Sequence, residues 1–261
     1  MRSIYNQGPV HYSFGPGLMT PAVKALIWIN IGVFFITALS PQLLQSFSSL
    51  FGLTPDFVLT RLRIWQPFTY LFIHGGVGHI LINMLILWMF GVQLERLWGT
   101  RFFIRYYFVA GVGAAIVTLV VSLLPFTFSA VTYTTITIGA SGAIYGLLMA
   151  FALHYPETPI LMFFLFPVPA KYFVMILGAI AFVSTPRMGG VAHITHLGGL
   201  LVGYVYLWRL GVTSTSRFKL DRLGILGDIK YRYIKWKMGR LRKRFDVYSG
   251  KDNPDWKNRI H

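Results

Sequence analysis

Apolar residues in this chain gather into runs instead of alternating with polar ones. Nearly unbroken apolar stretches occupy Ala22–Leu39, Gly78–Leu94, Phe102–Leu124, Ile138–His154, Lys171–Ser184 and Ala192–Trp208. A bilayer crossing takes about 20 residues, with a range of about 17 to 25, so the pattern predicts six membrane-spanning helices, the fifth of them short. A further apolar piece, Ile160–Val168, is interrupted by Pro167 and followed by Pro169. Proline interrupts a helix, so this piece reads as a segment lying at the interface or re-entering, not as a seventh crossing. The loop from Ser40 to Pro67 is long and half apolar, which suggests an element resting on the outer leaflet. The expected fold class is an all-α membrane protein, a bundle of six transmembrane helices.

Composition supports that class. Of 261 residues, 55% are hydrophobic and only 12% charged, and the mean hydropathy of +0.58 lies far outside the range of a soluble domain. Charge then orients the bundle. Of the 24 Lys and Arg, 14 follow Leu210, and Arg96, Arg101 and Arg105 crowd the turn between the second and third stretches. Those regions share a face, which the positive-inside rule makes cytoplasmic, with both termini inside. The opposite face receives Arg61, Arg63 and Arg187. The expected organisation is a cytoplasmic N-terminus over 1–19, a six-span membrane domain over 20–209 and a basic cytoplasmic tail over 210–261. No cleaved signal peptide is expected, because Arg2 is not followed by an apolar core with a small-residue cleavage site. The tail segment GDIKYRYIKWKMGRLRKRFD alternates bases with aromatics and suits an anionic inner leaflet. The same composition would suit nucleic acid, but a tail tethered beside a bilayer meets lipid first, so nucleic acid is not expected as a partner. The absence of cysteine excludes disulfides and thiolate metal ligands.

Within the apolar stretches the informative residues are the polar ones, since they are costly in lipid and face a bundle interior or a water-filled cavity. His79 and Asn83 are four apart and share a helical face. His193 and His196 lie one turn apart near the start of the sixth stretch, and Ser141 opens the fourth. All three stretches enter from the outer side, so these groups can occupy one depth. Gly142 and Gly146 form one small-xxx-small stripe, and Gly199 and Gly203 form another. If the stripes pack together, the Ser141 hydroxyl and the His196 imidazole come within hydrogen-bond reach, the geometry of a serine activated by a base. Outside the tail the acids are Asp56, Glu95 and Glu157, none placed to orient His196, so a dyad is expected in place of a triad. Tyr145, one turn below Ser141, is positioned to stack on the imidazole. His79, Asn83 and the Ser141 backbone N–H are the available oxyanion donors. Thr132, Thr134, Thr135 and Thr137, with His74 and His193, are expected to line a hydrated mouth.

These residues resemble a known family. The motifs HGGVGHILINM, GVQLERLWG, GASGAIYG and AHITHLGGLLVG, in that order from about Trp65 to Trp208, are similar to those of the rhomboid intramembrane serine proteases. The resemblance implies a six-helix bundle with Ser141 as nucleophile, His196 as general base, and His79 with Asn83 around the oxyanion. Gly139, Gly142, Gly199 and Gly203, with Tyr145 and His193, would be supporting residues. It also implies cleavage of single-span substrates near their outward end, with no cofactor and no metal, in a multi-pass protein of a bacterial inner (plasma) membrane. Glu95 matches an acid that ties down the first loop and neighbouring helix ends. Many relatives carry Trp-Arg in that loop where this chain has Trp65-Gln66, which puts the loop's anchoring in question. Two other classes remain open: a metalloenzyme built on His74, His79, His193 and His196, and a non-catalytic relative that holds transmembrane clients. Against the first stands the absence of an H-E-x-x-H motif; against the second stands the presence of both serine and histidine.

Overall fold

The computed structural model describes residues 15–162, 165–185 and 191–212, all within one unit, Met1–Thr215. Expectations for residues 1–14, Phe163, Phe164, Arg187 and the basic tail from 213 onward lie outside the described residues. The first helix, α1, spans Pro21–Thr37. The first loop holds three short helices, α2 (Pro41–Phe51), α3 (Pro55–Thr60) and α4 (Gln66–Thr69), the last continued by a tight turn at Tyr70–Phe72. Next come α5 (Val77–Ile86), a π turn at Leu87–Gly91 and α6 (Val92–Trp98). Together they form one continuous 22-residue rod, Val77–Trp98. Helices α7 (Thr100–Ser122), α8 (Thr127–Thr134) and α9 (Ser141–His154) follow. A two-stranded antiparallel hairpin of β1 (Pro159–Met162) and β2 (Phe166–Pro169) leads into α10 (Ala170–Ser184), and α11 (Val191–Arg209) ends the described chain. Each of the six stretches expected to span is thus helical over most of its length, and two of the helices, Val77–Trp98 and Thr100–Ser122, are long and apolar enough to cross a membrane. Ile160–Val168 is a hairpin, because prolines at Pro159, Pro167 and Pro169 remove the amides a helix would need while tolerating an extended backbone.

The core sits where α9 packs between α7 and α11. The face of α9 is apolar all round, as a helix enclosed by others requires, and Gly142, Ala143, Ile144, Gly146, Leu147, Leu148 and Ala150 are buried. The two glycine stripes meet directly. A Cβ added at Gly199 would run into the carbonyl oxygen of Gly142 and stand 3.4 Å from the amide nitrogen of Gly146, and one at Gly203 would stand 3.0 Å from the Cα of Gly146. Helix α7 completes the junction with small residues of its own: a Cβ on Gly142 would meet Ala114, and one on Gly146 would meet Ala110. Buried polar groups staple it. Tyr106 Oη donates to the Gly146 carbonyl at 2.7 Å, and the Thr118 and Thr195 hydroxyls pair at 2.9 Å.

Two side chains fasten the periphery. The buried Glu95 carboxylate accepts from the Ala22 and Val23 amides, both at 3.0 Å, and from the hydroxyls of Thr20 at 2.5 Å and Thr100 at 2.7 Å. It therefore supplies the acceptor that the first amides of α1 lack. These partners are the starts of α1 and α7, not the first loop. The loop is anchored by Gln66 itself, which is fully buried. Its Oε1 accepts from the Thr54 amide at 3.1 Å, and its Nε2 lies 3.3 Å from both the Ser49 and Leu50 carbonyls. Arg63 Nη1 also donates to the Ser49 carbonyl at 2.6 Å and Trp65 Nε1 to that of Leu50 at 2.9 Å, while Thr69 Oγ1 donates to that of Phe51 at 2.7 Å. Gln66→Leu would strand the Thr54 amide at a cost of about 1 to 3 kcal/mol. The expected result is a lower melting temperature in detergent, and an unchanged one would show the loop to be held elsewhere.

Candidate active site

Ser141 is the first residue of α9, reached through a backbone reversal at Gly139, whose φ is +119°. That conformation favours glycine, and here a side chain is also excluded by space. A Cβ on Gly139 would stand 2.7 Å from His79 Nε2 and 3.8 Å from Ser141 Oγ. The missing side chain thus leaves a small space bounded by an imidazole nitrogen on one side and the serine hydroxyl on the other. The approach to this turn is pinned. Thr137 and Leu53 exchange backbone hydrogen bonds at 2.8 and 2.9 Å, and the Gly139 amide donates to the Tyr70 carbonyl at 2.9 Å. Tyr70 Oη in turn donates to the Gly111 carbonyl of α7 at 2.7 Å.

His196, on α11, faces Ser141 across the glycine junction. Its Nε2 lies 2.8 Å from Ser141 Oγ, within the range of a strong hydrogen bond. The Tyr145 ring lies flat against the imidazole, with centroids 4.1 Å apart and planes inclined by 5°. His196 Nδ1 is buried and has no hydrogen-bond partner among the described residues. No carboxylate orients this imidazole in the described structure; the flat aromatic face of Tyr145 fixes its plane instead. Such a face also attracts a cation, so it would favour an imidazolium if the serine proton moved to His196.

The remaining expected site residues fall into three groups. His79 borders the space left by Gly139, with the Gly75 amide 3.4 Å from its Nδ1 and the His74 ring edge-on at 5.0 Å. Asn83 is buried on the same helix, but its Nδ2 donates to the His79 carbonyl at 2.7 Å, so one amide hydrogen is committed to its own helix. His193 is edge-on to His196 at 6.1 Å and flanks that imidazole. The expected hydrated mouth is different in detail. Thr132 and Thr135 turn their hydroxyls back to the Phe128 and Val131 carbonyls at 2.8 and 2.7 Å, a common habit of threonine in helices. Thr137 and His74 are buried. Among the described residues no group of three or more His, Cys, Asp or Glu is gathered to hold a metal. Sequence reasoning passed over Tyr70 and Tyr106, which bond backbone carbonyls around the serine turn. Their signal was faint: a tyrosine in an apolar run reads as a belt residue.

A hydroxyl and an imidazole from two different helices, meeting inside an all-α apolar bundle over glycine contacts, define a membrane protein with a serine–histidine pair in its interior. The family profile of the Rhomboid domain matches residues 61–213, which enclose every residue of this pair and its surroundings. The chain belongs to the rhomboid family. It is 30% identical over 189 residues to Rhomboid protein 1, mitochondrial, of Saccharomyces cerevisiae, covering 71% of this chain and 52% of that protein. It is 28% identical over 168 residues to Rhomboid protease GluP of Bacillus subtilis (64% of this chain, 30% of the relative). To Rhomboid protease AarA of Providencia stuartii it is 26% identical over 192 residues, 68% of each. The chain spans about half the length of the first of these relatives and less than a third of the second.

Proposed function

We propose that this protein is an intramembrane serine endopeptidase of rhomboid type, cleaving transmembrane segments of single-span substrates near their outer end. The observation that carries the reading is the 2.8 Å contact between Ser141 Oγ and His196 Nε2. In the proposed arrangement six helices cross the membrane, α1, the rod Val77–Trp98, α7, α9, α10 and α11. The termini lie on the cytoplasmic face of a plasma membrane, with the residues after 209 forming a basic tail along its anionic leaflet. Helix α9 has 14 residues and so is about 21 Å long at 1.5 Å per residue. A hydrocarbon core is about 30 Å thick, so a helix this short cannot reach both surfaces, and in the proposed arrangement its Ser141 end is the one that lies within the bilayer's depth.

The chemistry follows from the side chains. His196 Nε2 accepts the Ser141 proton as Oγ attacks the scissile carbonyl carbon, giving a tetrahedral intermediate whose oxygen carries the negative charge. The space beside Gly139 receives that oxygen. The Ser141 backbone N–H, His79 Nε2–H and the second Asn83 amide hydrogen are the donors for it. Collapse breaks the carbon–nitrogen bond, and His196 returns the proton to the departing amine. Water then attacks the acyl-enzyme, with His196 again taking the proton, and Ser141 is regenerated.

Asn83→Ala removes one donor and should slow turnover by at most about a thousandfold, with unchanged substrate binding. Complete indifference to the change would remove Asn83 from the site. The reading as a whole is tested in proteoliposomes with a single-span substrate labelled at both ends. One cut near the outer end, blocked by a serine-directed isocoumarin and indifferent to chelators, is expected. Chelator-sensitive, isocoumarin-resistant cleavage would contradict it.

A further inference from the structure

The hairpin between α9 and α10 carries chemistry that the proteolytic reading does not use. Its register pairs Pro159 with Pro169, Ile160 with Val168, Leu161 with Pro167 and Met162 with Phe166. Proline has no amide hydrogen, so the ladder donors can come only from the Ile160–Val168 and Met162–Phe166 pairs. The amides of the other two pairs point outward along the free edges. Three of those four positions are Pro159, Pro167 and Pro169, which leaves the Leu161 N–H as the single outward donor. The base is closed by the Ala170 amide to the Thr158 carbonyl at 2.9 Å and the Lys171 amide to the Pro156 carbonyl at 3.2 Å. Ile160 is turned inward, whereas Leu161, Leu165 and Phe166 are exposed by 57%, 71% and 61%. The ion pair Lys171–Glu157, at 2.5 Å, stands at the base, away from these apolar residues.

Stripping donors from both edges has opposite consequences for two environments. With one outward N–H between them, the edges offer an added strand few donors, so they are a poor site for a protein partner that docks by sheet extension. At the headgroup–acyl boundary, by contrast, the outward carbonyls can accept from water, few N–H groups are left to satisfy, and apolar side chains can dip below the backbone. The hairpin is also continuous with apolar surface, since α10 exposes Met175, Ile180 and Phe182 beyond it. We infer that the β1–β2 hairpin is an interfacial lipid anchor: its backbone lies at the headgroup–acyl boundary of the leaflet at the C-terminal end of α9, and the side chains of Leu161, Leu165 and Phe166 enter the acyl region. The Glu157–Lys171 pair then marks the headgroup level. Anchored there, the hairpin sets the depth of the two short helices it joins, at the end of α9 opposite Ser141.

The inference rests on the membrane fold and not on proteolysis, and its test reads no cleavage. The chain contains no cysteine, so single nitroxides can be placed through Leu165→Cys, Phe166→Cys and Glu157→Cys in the full-length protein. The labelled proteins are reconstituted in phosphatidylcholine–phosphatidylglycerol vesicles. Power saturation then compares collisions with oxygen, which concentrates in hydrocarbon, and with a water-soluble nickel chelate. Oxygen collisions should exceed nickel collisions at 165 and 166, and the order should reverse at 157. Nickel access at 165 and 166 equal to that at 157 would place the hairpin in water and overturn the anchor. Shielding from both reagents would mean that protein covers it, a second copy included, and would overturn it equally. Leu161→Cys supplies an independent position if either neighbouring variant fails to reconstitute.

Discussion

Replacing Ser141 with alanine is expected to abolish peptide cleavage, by about ten-thousandfold or more, because the covalent route disappears and only water remains as nucleophile. Folding should be nearly unaffected. Ser141 Oγ touches His196 and lies at the start of α9, so the change removes one hydrogen bond and no packing. His196→Ala should be equally silent in cleavage, since groups acting as a unit are not additive and the base is useless without the nucleophile. It differs in stability, because it also unstacks Tyr145. The check is cleavage rate in vesicles beside the melting temperature of each variant. More than a trace of proteolysis by the folded Ser141→Ala protein would count against the dyad.

The second large effect concerns the contact that brings the pair together. Gly199→Val should destabilise the protein by about 3 kcal/mol or more, the upper range for forcing carbon into a closed core. For a domain of this size that is a fall in melting temperature of roughly 6 to 12 °C. The reason is specific: the first added carbon already strikes the backbone carbonyl of Gly142, which cannot rotate away as a side chain would. Gly199→Ala should therefore do much of the same damage. Gly32→Ala on α1 is the control, since nothing lies within 4 Å of the added carbon and alanine favours a helix. Equal melting temperatures for the Gly199 and Gly32 variants would refute the close approach of α9 and α11.

What could be read from residues alone follows from which constraints leave a mark on residue type. The long helices were legible because each is an apolar run, whereas the short helices α2, α3, α4 and α8 are mixed in composition and were not read as helices. The α9–α11 contact was legible because close approach of two backbones must be written as glycine. Tyr145 was found by counting one helical turn from Ser141. The part played by α7 left no such mark. Ala110 and Ala114 fill the same junction, yet alanine in an apolar helix is too ordinary to stand out. The π turn at Leu87–Gly91 likewise has no signature, since it changes hydrogen-bond spacing and not composition. Asn83 and the threonines show a third limit. Their positions were read as near the site, but where a hydrogen goes is decided by a side-chain rotation, and the nearest carbonyl of their own helix took it. Gln66 shows the converse: a departure from the family pattern that put the loop's anchoring in question proves to be its fastening.

Under the proposed function Ser141 is a nucleophile made reactive by its imidazole neighbour. Fluorophosphonate labelling of the purified protein, with the modified residue mapped by mass spectrometry, tests it directly. A single adduct on Ser141 is expected, absent from Ser141→Ala and strongly reduced in His196→Ala. An adduct on another residue, or labelling that survives both substitutions, would contradict it.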